Sequence, residues 1–170
     1  MNPWGRWPTK RPLQQGDFIG IDLHGRSFGG LRGDSSTTFF VGDDPTPEKR
    51  AQYREARDYL EAAKKILRAG RPIADVMKDQ PPVPEKYRDQ QFNYHIAHGA
   101  GLGSSGYPHL DPRSKPVEDS LYHNQVLSVE VFFAEHGQPW GVKFEEQILV
   151  RDGEPEVLVG IPMDRQCLLP

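Results

Sequence analysis

Five side chains that carry carboxylate or imidazole groups lie in or beside short strand-like segments of this 170-residue chain. In chain order they are Asp22, Asp34, His98, Glu130 and Glu145. Four carboxylates can bridge and neutralise two divalent cations, and one imidazole adds a nitrogen ligand. The pattern therefore favours a fold that gathers these segments around two metal ions. It makes the chain a candidate dinuclear metallohydrolase.

The segments around these residues have the composition of β-strands. Strands are predicted over 17–23 and 35–41, with a glycine-rich turn between them. Three more strands are predicted over 92–98, 125–134 and 142–151. Because side chains alternate between the two faces of a strand, inward carboxylates can converge while their neighbours build the core.

Helices are predicted between the first two strands and the others. Thr46 is the predicted N-cap, Pro47 takes the first helical position, and Gly70 is the predicted end of this helix. A second helix is predicted over 72–78, and a short further turn of helix is predicted near residue 88.

Strands and helices thus occur in separate blocks, which is typical of an α+β protein. A loop is predicted over 99–120, and its length makes it a candidate functional loop.

Composition excludes several function classes. The formal net charge of −3 gives no electrostatic case for binding nucleic acid or an anionic membrane. No stretch approaches 18 apolar residues, so no membrane span is predicted. The first residues lack the apolar run of a secretory signal, and the single Cys167 fits a reducing compartment. We therefore expect a cytoplasmic protein.

Two of the five residues also have a simpler interpretation. Glu130 lies inside an apolar segment, where a carboxylate is costly unless it is paired or binds a metal. The alternative is that Glu130 points to solvent on the polar face of its strand. A histidine such as His98 is often structural or exposed, but the glycine-rich run that follows it, 99–103, leaves room for metals and a substrate.

Five short motifs resemble the catalytic domain of the creatinase/aminopeptidase metallopeptidases, the pita-bread fold of prolidases, Xaa-Pro aminopeptidases and methionine aminopeptidases. The motifs are 16–22 (GDFIGID), 33–39 (GDSSTTF), 97–101 (AHGAG), 127–130 (LSVE) and 143–150 (KFEEQILV). They extend over nearly the whole chain. The resemblance implies a partial pita-bread fold of the α+β class, with antiparallel β-ribbons backed by two helices.

The resemblance also implies roles for the five residues. In that family, two Asp, one His and two Glu hold two divalent metal ions. The residues that match them are Asp22, Asp34, His98, Glu130 and Glu145. The family pattern favours Glu145 over Glu146 as the last ligand. Mn, Co, Zn or Fe would suit this set, and a hydroxide bridging the metals would attack a peptide carbonyl with Glu130 as proton shuttle.

Within the family, the chain is most similar to the prolidase-like branch that includes the bacterial dimethylsulfoniopropionate lyases. Those lyases resemble Asp-x-Asp at the first ligand, where this chain has His24. His24 is a candidate additional nitrogen ligand, and a surface histidine is the alternative. At the position of the family's second active-site His, this chain has Ser105. His109 is therefore the candidate residue that stabilises the tetrahedral intermediate in its place. At the position after the second Asp where the family commonly has an Arg, this chain has Thr37.

The family's catalytic domain is longer than this chain. We therefore expect residues 1–170 to form a single, N-terminally truncated catalytic domain. A missing part of the sheet would leave an apolar face or sheet edge exposed, which predicts a homodimer or a complementing chain. A piece of a longer natural protein is an equal alternative.

Three functions remain open from the sequence. The leading one is a hydrolase of the Xaa-Pro dipeptidase or aminopeptidase type that acts on a short peptide or another small molecule. The second is a metal-dependent lyase or C–N hydrolase on the same fold. The third is an inactive remnant used for binding, which the changed residue at Ser105 favours and the five matched ligands oppose.

Overall fold

The fold is built on one antiparallel sheet with helices on one face. The computed structural model describes residues 10–26, 28–42, 44–88, 96–102, 106–111, 113, 115 and 117–159. Within these ranges the sheet has seven strands. This arrangement confirms the α+β class.

The strands include the segments predicted from the sequence and two others. Their bounds are β1 Phe18–Arg26, β2 Arg32–Phe40, β3 Ala97–Gly99, β4 Gly106–His109, β5 Val126–Phe133, β6 Val142–Leu149 and β7 Glu156–Val157. In the sheet they lie in the order β1-β2-β6-β5-β3-β4, and β7 pairs with β6. Part of the strand predicted over 92–98 lies outside the described residues. The loop predicted over 99–120 was wrong in one part, because β4 lies inside it and pairs with β3.

Three helices occur in the described residues: α1 (Pro47–Lys65), α2 (Ile73–Lys78) and α3 (Glu85–Arg88). The Thr46 side chain accepts a hydrogen bond from the backbone N–H of Lys49 at 3.5 Å, as its predicted role as N-cap requires.

The prediction that α1 ends at Gly70 was wrong, because the helix ends at Lys65. The backbone N–H groups of Ala69 and Gly70 donate instead to the carbonyls of Arg151 and Leu121, at 2.9 and 2.8 Å. These bonds draw the chain away from the helical path.

The hydrophobic core lies between α1 and the strands β5 and β6. Along α1 the buried residues recur every three or four positions, which gives the helix one apolar face. The Tyr53 ring meets the Phe144 ring edge-on, with centroids 4.7 Å apart. Phe133 contacts two tyrosines, Tyr59 at 5.2 Å and Tyr87 at 4.4 Å between ring centroids. The alternation along β5 and β6 thus turns apolar residues to the helices and the intervening residues to the other face of the sheet.

None of the described helices is long and apolar enough to cross a membrane. The cytoplasmic location stays a prediction.

Strand β1 lies at one edge of the sheet in the described part of the chain. Its Ile21 and Leu23 side chains are 43% and 57% exposed. They alternate with Asp22 and His24 and so face away from them. An apolar face on an edge strand is a surface that soluble proteins usually cover.

We therefore expect a homodimer, or a complementing chain, to cover β1. Sedimentation velocity should show a concentration-dependent dimer, and Leu23→Lys should weaken it at least tenfold. Leu102→Lys, which changes an even more exposed leucine outside β1, is the matched control and should leave the dimer intact. A well-folded monomer at all concentrations would contradict the prediction.

The contact between β3 and β4 requires a glycine at position 99. A Cβ atom built on Gly99 would lie 2.1 Å from the carbonyl oxygen of Tyr107, which belongs to the backbone and cannot move away alone. Gly99→Ala should therefore lower the free energy of unfolding by about 2 kcal/mol or more. Gly153→Ala, at a position with open space, should change it by less than about 0.5 kcal/mol. Urea unfolding measures both, and equal effects would contradict the close approach.

Candidate metal centre

The register of the sheet brings acidic residues from three strands into one row. Asp22 in β1 pairs with Ser36 in β2, and Ser36 pairs with Glu145 in β6. Glu145 in turn pairs with Glu130 in β5. Residues that are directly opposite each other in neighbouring strands point to the same face. Three carboxylates from distant parts of the chain therefore share the face opposite the helices.

A second row lies two residues further along the strands. His24 pairs with Asp34, and across the sheet Ser128 pairs with His98. The Ser128 hydroxyl donates to the Asp34 carbonyl at 3.3 Å and so connects the two halves of the row. His98 also pairs with His109 in β4, and their ring centroids are 6.3 Å apart.

The two rows meet in a buried cluster that we call the inner group, which consists of Asp34, His98, Glu130 and Glu145. The His98 Nε2 atom lies 3.6 Å from Asp34 Oδ2, 3.7 Å from Glu130 Oε1 and 3.5 Å from Glu145 Oε1. All four side chains are buried. The His98 Nδ1 atom lies 3.1 Å from the carbonyl oxygen of Gly99. If Nδ1–H donates to that carbonyl, the Nε2 lone pair faces the carboxylates, as metal ligation requires.

The inner group has the properties of a cation site. Both carboxylate oxygens of Asp34 and Oε1 of Glu145 are buried and accept no hydrogen bond. His24 and His98 approach Asp34 to 3.1 and 3.6 Å as ion-pair partners, but without hydrogen-bond geometry. Buried carboxylate oxygens without donors are costly unless a cation satisfies them. The residues therefore fit a divalent metal ion with mixed oxygen and nitrogen ligands.

A second set, the outer group, consists of Asp22, His24 and Asp34. His24 Nε2 lies 3.0 Å from Asp22 Oδ1, and His24 Nδ1 lies 3.1 Å from Asp34 Oδ1. Asp22 and His24 are partly exposed, with side chains 27% and 40% accessible, whereas Asp34 is buried. Asp34 thus belongs to both groups, with Oδ1 toward His24 and Oδ2 toward His98.

Lys143 also lies in the centre, although the sequence interpretation missed it. Its Nζ atom donates to Asp22 Oδ2 at 2.5 Å and to Glu145 Oε2 at 3.2 Å, and it lies 3.4 Å from Glu130 Oε2. Burial alone would lower the pKa of Lys143, but the charges of Glu145 and Glu130 and the bond to Asp22 raise it to about 12. The signal in the sequence was its spacing, two residues before Glu145 on the same strand.

Other residues singled out from the sequence lie elsewhere. Glu146 points to the helix face, where Lys64 pairs with it at 2.6 Å, so the placement supports the choice of Glu145 as the ligand. Thr37 neighbours Ser36 in β2 and points away from the centre. Ser105 lies outside the described residues.

Comparisons with known proteins decide the family. The model of metallopeptidase family M24 matches residues 1–152. The chain belongs to this family. It is 28% identical to the mitochondrial methionine aminopeptidase 1D of Mus musculus, a match that covers 92% of this chain and 51% of that protein. It is 23% identical to the dimethylsulfoniopropionate lyase DddP of Roseobacter denitrificans, over 96% of this chain and 37% of that protein.

Solved structures of family members confirm the fold. The Xaa-Pro aminopeptidase of Thermotoga maritima superposes with a TM-score of 0.79 at 23% identity, over 95% of this chain and 44% of that one. The dipeptidase PepE of Mycobacterium ulcerans gives a TM-score of 0.75 at 25% identity, over 91% of this chain and 41% of that one. The chain therefore has a partial pita-bread fold and spans between a third and about half the length of these four relatives. The single truncated domain over 1–170 stays a prediction.

Asp34 makes the metal-free protein sensitive to pH. Burial and the neighbouring Glu145 raise the pKa of Asp34 to about 8. The folded protein therefore holds a proton that the unfolded chain releases near pH 4. The stability from this proton is fully present below about pH 4 and is lost as the pH rises to about 8.

As the pH rises from about 4 to about 8, we expect the free energy of unfolding of chelator-treated wild type to fall relative to that of Asp34→Asn. The loss should reach at most about 1.4 kcal/mol per pH unit, and urea unfolding at several pH values measures it. A difference between the two proteins that does not change with pH would contradict the role of Asp34.

Proposed function

We propose that the chain is a dinuclear metal-dependent hydrolase of the Xaa-Pro dipeptidase or aminopeptidase type that cleaves short peptides. The observation that carries the proposal is the inner group, where three buried carboxylates lie within 3.7 Å of one imidazole nitrogen. Three ionised carboxylates so close together are strongly unfavourable unless protons or cations reduce their charge. Bound divalent metal ions supply activation of water at neutral pH and polarisation of the substrate carbonyl.

The side chains of the centre have distinct roles in this proposal. The inner group would hold one ion and the outer group the other, with Asp34 common to both. Glu130 would be a ligand and would also transfer the proton of the attacking water to the leaving amine. His109 is exposed beside His98 and would donate to the oxyanion of the tetrahedral intermediate.

The relatives support peptides as the substrate class. Structures similar to this chain include an Xaa-Pro aminopeptidase, a dipeptidase and several prolidases, of which the chain covers 41–44%. The ligand set of carboxylates and imidazole suits Mn, Co, Zn or Fe. We therefore expect the chain to act on an Xaa-Pro dipeptide or a peptide of similar length with one of these ions.

A second candidate activity is that of a lyase on the same centre. The lyase DddP of Roseobacter denitrificans matches 96% of this chain, a larger share than the methionine aminopeptidase does. Assays of the metal-loaded protein with an Xaa-Pro dipeptide and with dimethylsulfoniopropionate separate the two reactions. Release of dimethyl sulfide without peptide cleavage would favour the lyase, and neither reaction would favour an inactive remnant.

Glu130→Gln tests the centre directly. The change keeps the size of the side chain but removes a ligand charge and the proton acceptor. We expect it to lower metal occupancy or to reduce peptide turnover by at least about a hundredfold. Elemental analysis and kinetics on an Xaa-Pro dipeptide measure the two effects.

Glu135→Gln is the matched control, because Glu135 is an exposed carboxylate just beyond β5. It should leave occupancy and turnover unchanged. Full activity and full metal content in Glu130→Gln would refute the assignment of Glu130.

A further inference from the structure

Lys143 places a positive charge inside the cluster of ligands. Its ammonium contacts three of the four matched carboxylates, those of Asp22, Glu130 and Glu145, at 2.5–3.4 Å. We propose that Lys143 is an internal cation that opposes binding of a divalent ion beside Asp22, so that removal of its charge raises the affinity of that position for an ion. This inference rests on the proposed function.

The two glutamates show how the ammonium substitutes for a metal ion. Each turns Oε1 toward His98, at 3.7 Å for Glu130 and 3.5 Å for Glu145. Each turns Oε2 toward the Lys143 ammonium, at 3.4 and 3.2 Å. A carboxylate that bridges two cations uses one oxygen for each. In this chain the oxygens on the far side of both glutamates already face a cation.

The inner and outer groups also differ in how many of their carboxylate oxygens already have a partner when an ion arrives. In the inner group, both oxygens of Asp34 and Oε1 of Glu145 accept no hydrogen bond. In the outer group, Asp22 Oδ1 faces His24 at 3.0 Å and Asp22 Oδ2 accepts from Lys143 at 2.5 Å. An ion beside Asp22 must therefore replace existing partners and lie close to an ammonium, which repels it.

The fold holds Lys143 in this position. Its backbone N–H donates to the Thr38 hydroxyl at 2.8 Å, and that hydroxyl lies 2.9 Å from the Lys143 carbonyl oxygen. The side chain is buried on the same face as Glu145, its neighbour two residues along β6. A buried ammonium without carboxylate partners would be costly, so the carboxylates of the cluster stabilise Lys143 in this position.

Charge compensation leads to the same result. Four matched carboxylates with one ammonium and one divalent ion leave a single negative charge. Without the ammonium, one divalent ion would leave two negative charges, which favours binding of a second ion. Removal of the Lys143 charge should therefore increase affinity for the second ion.

The test measures Mn²⁺ binding by equilibrium dialysis with elemental analysis, and electron paramagnetic resonance distinguishes isolated Mn²⁺ from a coupled pair. Wild type should bind one Mn²⁺ tightly and give the spectrum of an isolated ion. Lys143→Met should bind two and give a coupled spectrum, with the dissociation constant of the second ion lowered at least tenfold. Lys143→Gln, which keeps a polar group beside Asp22, should behave like Lys143→Met.

Lys64→Met is the matched control, because Lys64 is also buried and paired with a glutamate, but on the helix face of the sheet. It should keep the wild-type stoichiometry. Circular dichroism checks that each variant is folded, and the wild-type isotherm tests the inference even if a Lys143 variant fails to fold.

The outcomes separate this inference from the proposed function. Two tight and equal Mn²⁺ sites in wild type, or a single site that persists in folded Lys143→Met and Lys143→Gln, would overturn the role of Lys143 and leave the metal centre in place. Absence of binding of Mn²⁺, Co²⁺ and Zn²⁺ by wild type would overturn the centre itself, and with it both proposals.

Discussion

The antiparallel register between β5 and β6 is the constraint on which the rest of the structure depends. It places Glu130 directly opposite Glu145, so that two carboxylates that must both be desolvated face each other on one side of the sheet. Such a pair is strongly unfavourable without positive charge nearby. The imidazole of His98 and the ammonium of Lys143 supply part of that charge within the protein, and metal ions would supply the rest.

The same register determines what lies on the opposite face. Val131 pairs with Phe144 one position away from the two glutamates, and both side chains pack under α1. A slip of one residue in either strand would exchange the apolar and acidic sides and destroy both the core and the centre. Burial of the apolar face therefore also holds the carboxylates in place on the other face.

The positions that match the metal ligands of the M24 family are all present in this shorter chain. The chain spans between a third and about half the length of the methionine aminopeptidase and the lyase that it matches, yet all five matched ligand positions lie inside the described residues. The differences from the family pattern, at His24 and around His109, lie at or beside that centre.

The chain's own sequence was sufficient for the fold class, for most strands and helices and for the list of candidate ligands. Each of these follows from local information: the alternation of apolar residues, the Thr46–Pro47 helix start and short motifs around the acidic residues. The end of α1 and the strand β4 could not be predicted in this way. They depend on hydrogen bonds to Arg151, Leu121 and β3, which are far away in the sequence.

The positions of individual side chains in the candidate centre were decided by tertiary structure. The family pattern favours Glu145 over the adjacent Glu146, and strand pairing gives the physical reason, because it turns Glu145 toward the inner group and Glu146 toward Lys64. Lys143 looks like any lysine in a strand until its ammonium is seen against Asp22. The sequence by itself determined which ligands are available, because the preference for a metal depends on the type of side chain. Only the tertiary structure brought these side chains together across more than a hundred residues, because the sheet register sets the distances between them.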